Sequence, residues 1–175
     1  MRRKREKGFT LIEILVVVTF VGMIGIIISQ VFILGVRSQV KNEVMKEVRQ
    51  NGDFIIGVVE GMTKSAIDTE NTDCNKSVSQ FSIINQDGYT TIFSCTGNNI
   101  ASTSVYLAPT PTVTVNLNTS RVKITDCGFR LVCPTPAIAP KYVLFNFTVS
   151  QASGNSPESQ SSMDYQTTVS LRSYQ

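Results

Sequence analysis

Histidine and tryptophan are absent from this 175-residue sequence. Without histidine, the usual general base near neutral pH is missing, and with it every His-containing nucleophilic triad or metal site. The cysteines are four, Cys74, Cys95, Cys127 and Cys133, and none forms the Cys-x-x-Cys pair of zinc ribbons and thioredoxin-like redox sites. Carboxylates such as Asp126, Glu158 and Asp164 stand singly, with no paired arrangement for acid–base work. The expectation is a protein that is not an enzyme and binds neither cofactor nor metal.

Basic charge is scarce beyond the first few residues. The net charge of +3 is dominated by Arg2, Arg3, Lys4, Arg5 and Lys7, offset locally by Glu6, and the rest of the chain is close to neutral. No basic stripe remains to follow a phosphate backbone, so nucleic acid is not the expected partner of the folded part. Internal repeats are also lacking.

What the sequence does have is an uneven distribution of apolar residues. From Phe9 to Val36 the chain is almost uninterruptedly hydrophobic, whereas the C-terminal half is rich in Ser, Thr and Asn. A helix of 28 residues reaches roughly 42 Å at about 1.5 Å per residue, enough to cross a hydrocarbon core of about 30 Å. The cations before it are retained in the cytoplasm, so everything after about Val36 faces the other side. The run is longer than a secretory h-region, and no small-residue cleavage site follows it. A plain single-pass anchor accounts for the run and the cations, but not for Glu13. A carboxylate in an apolar span costs about 2.5–3.5 kcal/mol at mid-bilayer, so it needs a partner or a depth from which it reaches water.

The order of basic leader, Gly8-Phe9-Thr10-Leu11-Ile12-Glu13 and apolar helix resembles the processing motif of type IV prepilins and pseudopilins. The resemblance implies that a membrane-embedded prepilin peptidase cuts after Gly8 and that the new amine of Phe9 is methylated. It also implies that Glu13 of one subunit pairs with the N-terminal amine of a neighbour, setting axial register as subunits leave the membrane lipid. Such a pair is weak evidence for net stability, but an unpaired charge there is strongly unfavourable, so register is its plausible use. Other pilin or pseudopilin subunits, an inner-membrane platform protein and an assembly ATPase are the further partners implied. The departure from the pattern is Gln30, where many pilins carry a mid-helix proline. Gly22 and Gly25 either loosen the helix, each by about 1 kcal/mol relative to Ala, or allow close helix packing.

After Val36 apolar residues recur every third or fourth position, at Val40, Val44, Val48, Ile55, Val59, Met62 and Ala66. That spacing predicts an amphipathic continuation of one helix from about Phe9 to about Ile67, with Gly52, Gly57 and Gly61 as candidate bends. Beyond residue 80 the patterns predict strands at Phe81–Ile84, Thr91–Ser94 and Val113–Leu117. The clearest alternation is in Tyr142–Ser150, repeated at Tyr165–Leu171, and these two strands are expected to pair antiparallel. The Ser- and Gln-rich stretch from Gln151 to Ser162 reads as an exposed loop.

The expected organisation is therefore a cleaved leader at 1–8, a membrane and filament-core helix at 9–36, its amphipathic continuation at 37–67, and an extracytoplasmic β-rich domain at 68–175. The fold class is α+β, a long helix packed on an antiparallel sheet domain as in pilins. The segments 49–54 and 166–172 resemble larger minor pilins and J-type minor pseudopilins. Many major pilins close a C-terminal loop with a disulfide, whereas Cys127 and Cys133 lie more than 40 residues from the end, which favours a minor subunit. Four cysteines permit three pairings; the pairing expected is Cys127 with Cys133 and Cys74 with Cys95. The competing functions are a major pilin and a membrane-anchored extracytoplasmic binding module that forms no filament.

Overall fold

The computed structural model describes residues 8–105, 112–134, 140–153 and 160–171. The chain divides into two compact units, residues 1–40 and 41–175. Helix α1, Leu11–Ser65, contributes to both.

In the first unit the helix supplies the only described secondary structure, and every residue from Gly8 to Val40 is exposed. The few polar groups in the apolar run satisfy themselves locally. The hydroxyl of Thr19 donates to the Val16 carbonyl at 2.7 Å and that of Ser29 to the Gly25 carbonyl at 2.9 Å. Such back-bonding lets a hydroxyl sit in an apolar medium without an unmet donor.

In the second unit, α1 buries Val48, Asn51, Gly52, Ile55, Val59 and Thr63, a stripe at three- and four-residue intervals. Of the expected stripe, Val48, Ile55, Val59 and Ala66 are buried, Val44 and Met62 are half-buried, and Val40, in the first unit, is exposed. The stripe faces two antiparallel sheets. One has the order β1-β3-β4-β5-β6, built from Asp68–Thr69, Gln80–Ile84, Thr90–Thr96, Asn99–Val105 and Val113–Asn116. The other has the order β2-β7-β8-β9, built from Ser77–Val78, Val122–Val132, Tyr142–Gln151 and Ser162–Ser170. The architecture is thus the expected α+β one, with two sheets rather than one. Strands β8 and β9 pair antiparallel from Tyr142↔Ser170 to Ser150↔Ser162. The alternation read from the sequence holds: Val143, Phe145, Phe147 and Val149 are all buried. Of the loop expected at Gln151–Ser162, residues 154–159 lie outside those described.

Strand β7 contains a bulge between Thr125 and Gly128, where three steps along β7 match two along β8. Asp126 takes a left-handed conformation there, φ 50°, and its carbonyl accepts the Asn146 Nδ2 amide at 2.8 Å. The extra residue reverses which side chains point inward. Val122 and Ile124 are buried before it, Phe129 and Leu131 after it, and Cys127 joins the inward set.

The reversal decides the disulfides, which are Cys95–Cys127 and Cys74–Cys133, with Cα–Cα distances of 5.9 and 5.7 Å. The expected pairing of Cys127 with Cys133 and Cys74 with Cys95 is therefore incorrect. Six residues of extended strand separate Cys127 from Cys133 by roughly 20 Å, whereas a disulfide requires Cα atoms within about 7 Å. Cys95–Cys127 instead ties the two sheets together, β4 to β7.

A run of stacked rings crosses the core. Phe81 lies 5.9 Å from Phe129, Phe129 4.5 Å from Phe145, Phe145 4.8 Å from Phe147, and Phe147 5.2 Å from Tyr165. Tyr165 closes the run against α1 at Gly52, where a Cβ would stand only 2.2 Å from the ring. The Tyr165 hydroxyl donates to the Arg49 carbonyl at 3.3 Å. Gly52, read from the sequence as a candidate bend, is thus the place where a ring from β9 lies directly on the helix backbone. Asn51 beside it accepts the Thr119 amide at 3.0 Å, and buried Asn118 accepts the Ile100 amide at 3.0 Å. Just over two turns further along, Glu60 is held by the Lys64 ammonium at 2.7 Å and by the Thr167 hydroxyl, which donates to its other oxygen.

Two outcomes follow for the detergent-solubilised chain. Gly52→Ala forces the Tyr165 ring off both Phe147 and the helix and lowers stability by about 1–3 kcal/mol in urea unfolding; combined with Tyr165→Ala, it costs less than the sum of the two single changes. Glu60 lies well beyond the apolar run, and hydrogen bonds from Lys64 and then Thr167 hold its carboxyl below the usual carboxylate range. Its folded value being depressed, its contribution is present above the unfolded carboxylate pKa and is lost as pH falls through the folded one. Glu60→Gln should lower the urea midpoint at neutral pH and flatten its decline on acidification; an unchanged pH profile refutes the role.

Candidate assembly site

The N-terminal site is built by the start of α1. Gly8, Phe9 and Thr10 precede the helix, exposed and without regular structure. Thr10 caps the helix: its hydroxyl accepts the Glu13 amide at 3.4 Å, and its carbonyl accepts the amides of Glu13 and Ile14 at 3.1 and 3.3 Å. A threonine three residues before a glutamate is the signature of a capping box. The sequence reading singled out Glu13 and missed this role of Thr10, although the spacing carries it.

Glu13 falls in the first helical turn, where a carboxylate is favoured by the positive end of the helix dipole. Its carboxylate has no hydrogen-bond or ion-pair partner among the described residues. Phe9, Glu13, Ile14, Val17 and Val18 line a groove of about 210 Å³ on the helix surface. Phe9 is 77% exposed and Leu11 82% exposed, and none of the most apolar window of α1 is buried within the chain. One acid therefore stands at the head of a long apolar surface that none of the described residues covers.

Residues 3–29 match the family model of the prokaryotic N-terminal methylation motif. The N-terminal segment of the chain thus carries the class III signal motif that type IV pilins and pseudopilins bear. The match covers the leader and the first part of the apolar helix, the segment that holds the exposed Gly8–Phe9 bond, the Thr10 cap and Glu13. Comparison with curated proteins and with solved structures finds no significant match. The class III signal motif and the apolar helix that follows it fit a single-pass, membrane-anchored protein whose disulfide-bonded domain is extracytoplasmic. The motif family consists of structural subunits, which implies other pilin subunits and prepilin peptidase as partners.

The isolated carboxylates do not converge on a second site. Asp126 serves the β7 bulge, while Asp164 accepts the Thr148 hydroxyl at 2.7 Å across the β8–β9 pair. Glu158 lies outside the described residues. The cysteines are all consumed in the two disulfides.

Proposed function

We propose that this pilin-like chain is a minor subunit of a type IV pilus-like or type II secretion-like filament, on the cell surface or in the periplasm, and that it assembles through α1. The observation that carries the reading is the Glu13 carboxylate, unpartnered among the described residues at the head of α1, whose apolar stretch from Leu11 to Val40 is exposed throughout. Cleavage after Gly8 by the prepilin peptidase leaves a cationic amine at Phe9, which is then methylated and keeps its charge. Phe9 and Glu13 are four residues apart and line the same groove, so each subunit presents one cation and one anion at one end of an apolar rod. In a bundle of such helices the Glu13 of one subunit meets the amine of the next, and a subunit out of register leaves both charges desolvated and unpaired. An inner-membrane platform protein and an assembly ATPase supply the extraction from lipid.

The absence of a bridge closing the last residues supports a minor rather than a major subunit: the disulfides are Cys74–Cys133 and Cys95–Cys127, both well before the C-terminus. A membrane-anchored binding module would share the fold but retain its leader. Intact-mass measurement of the membrane-extracted protein should therefore show loss of residues 1–8 and gain of one methyl group; a mature chain that keeps Met1–Gly8 refutes processing. Glu13→Ala should leave cleavage intact while reducing the subunit's recovery in sheared filaments at least tenfold. Normal recovery of that variant would sink the pairing mechanism.

A further inference from the structure

Three stretches of the extracytoplasmic unit read Asn-x-Ser/Thr: Asn75-Lys76-Ser77, Asn118-Thr119-Ser120 and Asn146-Phe147-Thr148. On the outer side of a membrane that tripeptide is the acceptor pattern for N-linked carbohydrate, provided the asparagine amide lies on an accessible surface turn. The structure treats the three amides differently. Asn118 is 7% exposed, and its Nδ2 is committed to Asn99 Oδ1 at 2.9 Å and to the Val122 carbonyl at 3.3 Å. Asn146 lies inside β8, paired on both sides; its Nδ2 donates to the Asp126 carbonyl at 2.8 Å, and the following Phe147 is buried in the ring stack. Asn118 cannot be presented to an enzyme without opening the core, and Asn146, though exposed, is held in a strand paired on both edges with its amide bonded to the β7 bulge rather than on a turn.

Asn75 is the exception. It is exposed, in a turn with Cys74, at φ 64°, a left-handed conformation that asparagine tolerates better than most residues. Its backbone amide donates to the Leu131 carbonyl at 2.6 Å, while its side-chain amide has no partner among the described residues. The turn is fastened from behind by the Cys74–Cys133 disulfide and bridged in front by the ion pair of Lys76 with Asp73 at 3.4 Å. Ser77 follows, exposed, in the two-residue strand β2 at the edge of its sheet. The backbone is thus held in place while the amide nitrogen is left to solvent.

We propose that Asn75 is a glycosylation site whose co-substrate is a lipid-diphosphate-linked oligosaccharide, delivered on the extracytoplasmic face by a membrane transferase. The Asn75 Nδ2 attacks the anomeric carbon, and the new N–C bond replaces the C–O bond to phosphate. The lipid diphosphate leaves with the bonding electron pair, and the amide gives up one proton to a base of the transferase. This inference rests on the extracytoplasmic placement of the unit and not on filament assembly, so it stands or falls separately from the pairing of Glu13.

The test is tryptic peptide mass spectrometry of the full chain extracted from the membranes of the cells that produce it. Peptide 65–76 should carry a carbohydrate mass localised to Asn75 by fragmentation. Asn75→Gln and Ser77→Ala should each abolish it, whereas Ser77→Thr and Asn146→Gln should preserve it. An unmodified peptide 65–76, carbohydrate on Asn118 or Asn146 instead, or modification that survives Ser77→Ala would overturn the assignment.

Discussion

Between Leu11 and Val40 the backbone is bonded within its helix while the side chains are left exposed by the described residues of the chain. An apolar surface of that size does not persist in water, so its cover must come from lipid or from the like surfaces of other chains. A bilayer tolerates the helix because every backbone polar group is bonded within it and Thr19 and Ser29 return their hydroxyls to helix carbonyls. Lipid offers nothing to Glu13 beyond proximity to the interface. In the assembly proposed above, a neighbouring subunit would offer both apolar cover and a cation: the apolar residues would make association favourable, and Glu13 would make one alignment better than the rest.

The second unit meets a different requirement, which is to hold an amphipathic helix on two small sheets with a modest core. Direct backbone approach at Gly52 lets Tyr165 lie on the helix and extend the ring stack from Phe81 through Phe147. Polar side chains do the rest of the fastening. Asn51 and Glu60 on the helix reach Thr119 and Thr167, and Asn118 fills a gap that backbone amides would otherwise leave unsatisfied. The two disulfides join parts of the sheets that are far apart in sequence.

What could be read in advance follows from how strongly each pattern repeats. The long helix, the inward faces of β8 and β9, and the Gly8–Glu13 segment all have regular signals. Strand β5, with Ala101, Ser102 and Ser104 among its residues, is too small and polar to resemble a strand in isolation. Strand β7 was hidden because its bulge changes the inward positions from even to odd halfway along. The cysteine pairing had no pattern to fix it, and the extended strand between Cys127 and Cys133 keeps those two apart. Gly52 gave a signal that was read as flexibility, when its small size mattered instead.

The Cys74–Cys133 bridge, whose ends are 59 positions apart in sequence, has a mechanical consequence. It encloses β2 to β7 and the inner Cys95–Cys127 bridge, so at roughly 3.4 Å per residue it withholds about 200 Å of chain from any pull along the polypeptide. Under tension, the parts free to yield are the docking of α1 and the β8–β9 hairpin, outside the covalent ring. A subunit loaded through its N-terminal helix would thus lengthen only by the chain outside the ring and keep β2 to β7 covalently joined as a base from which to recoil.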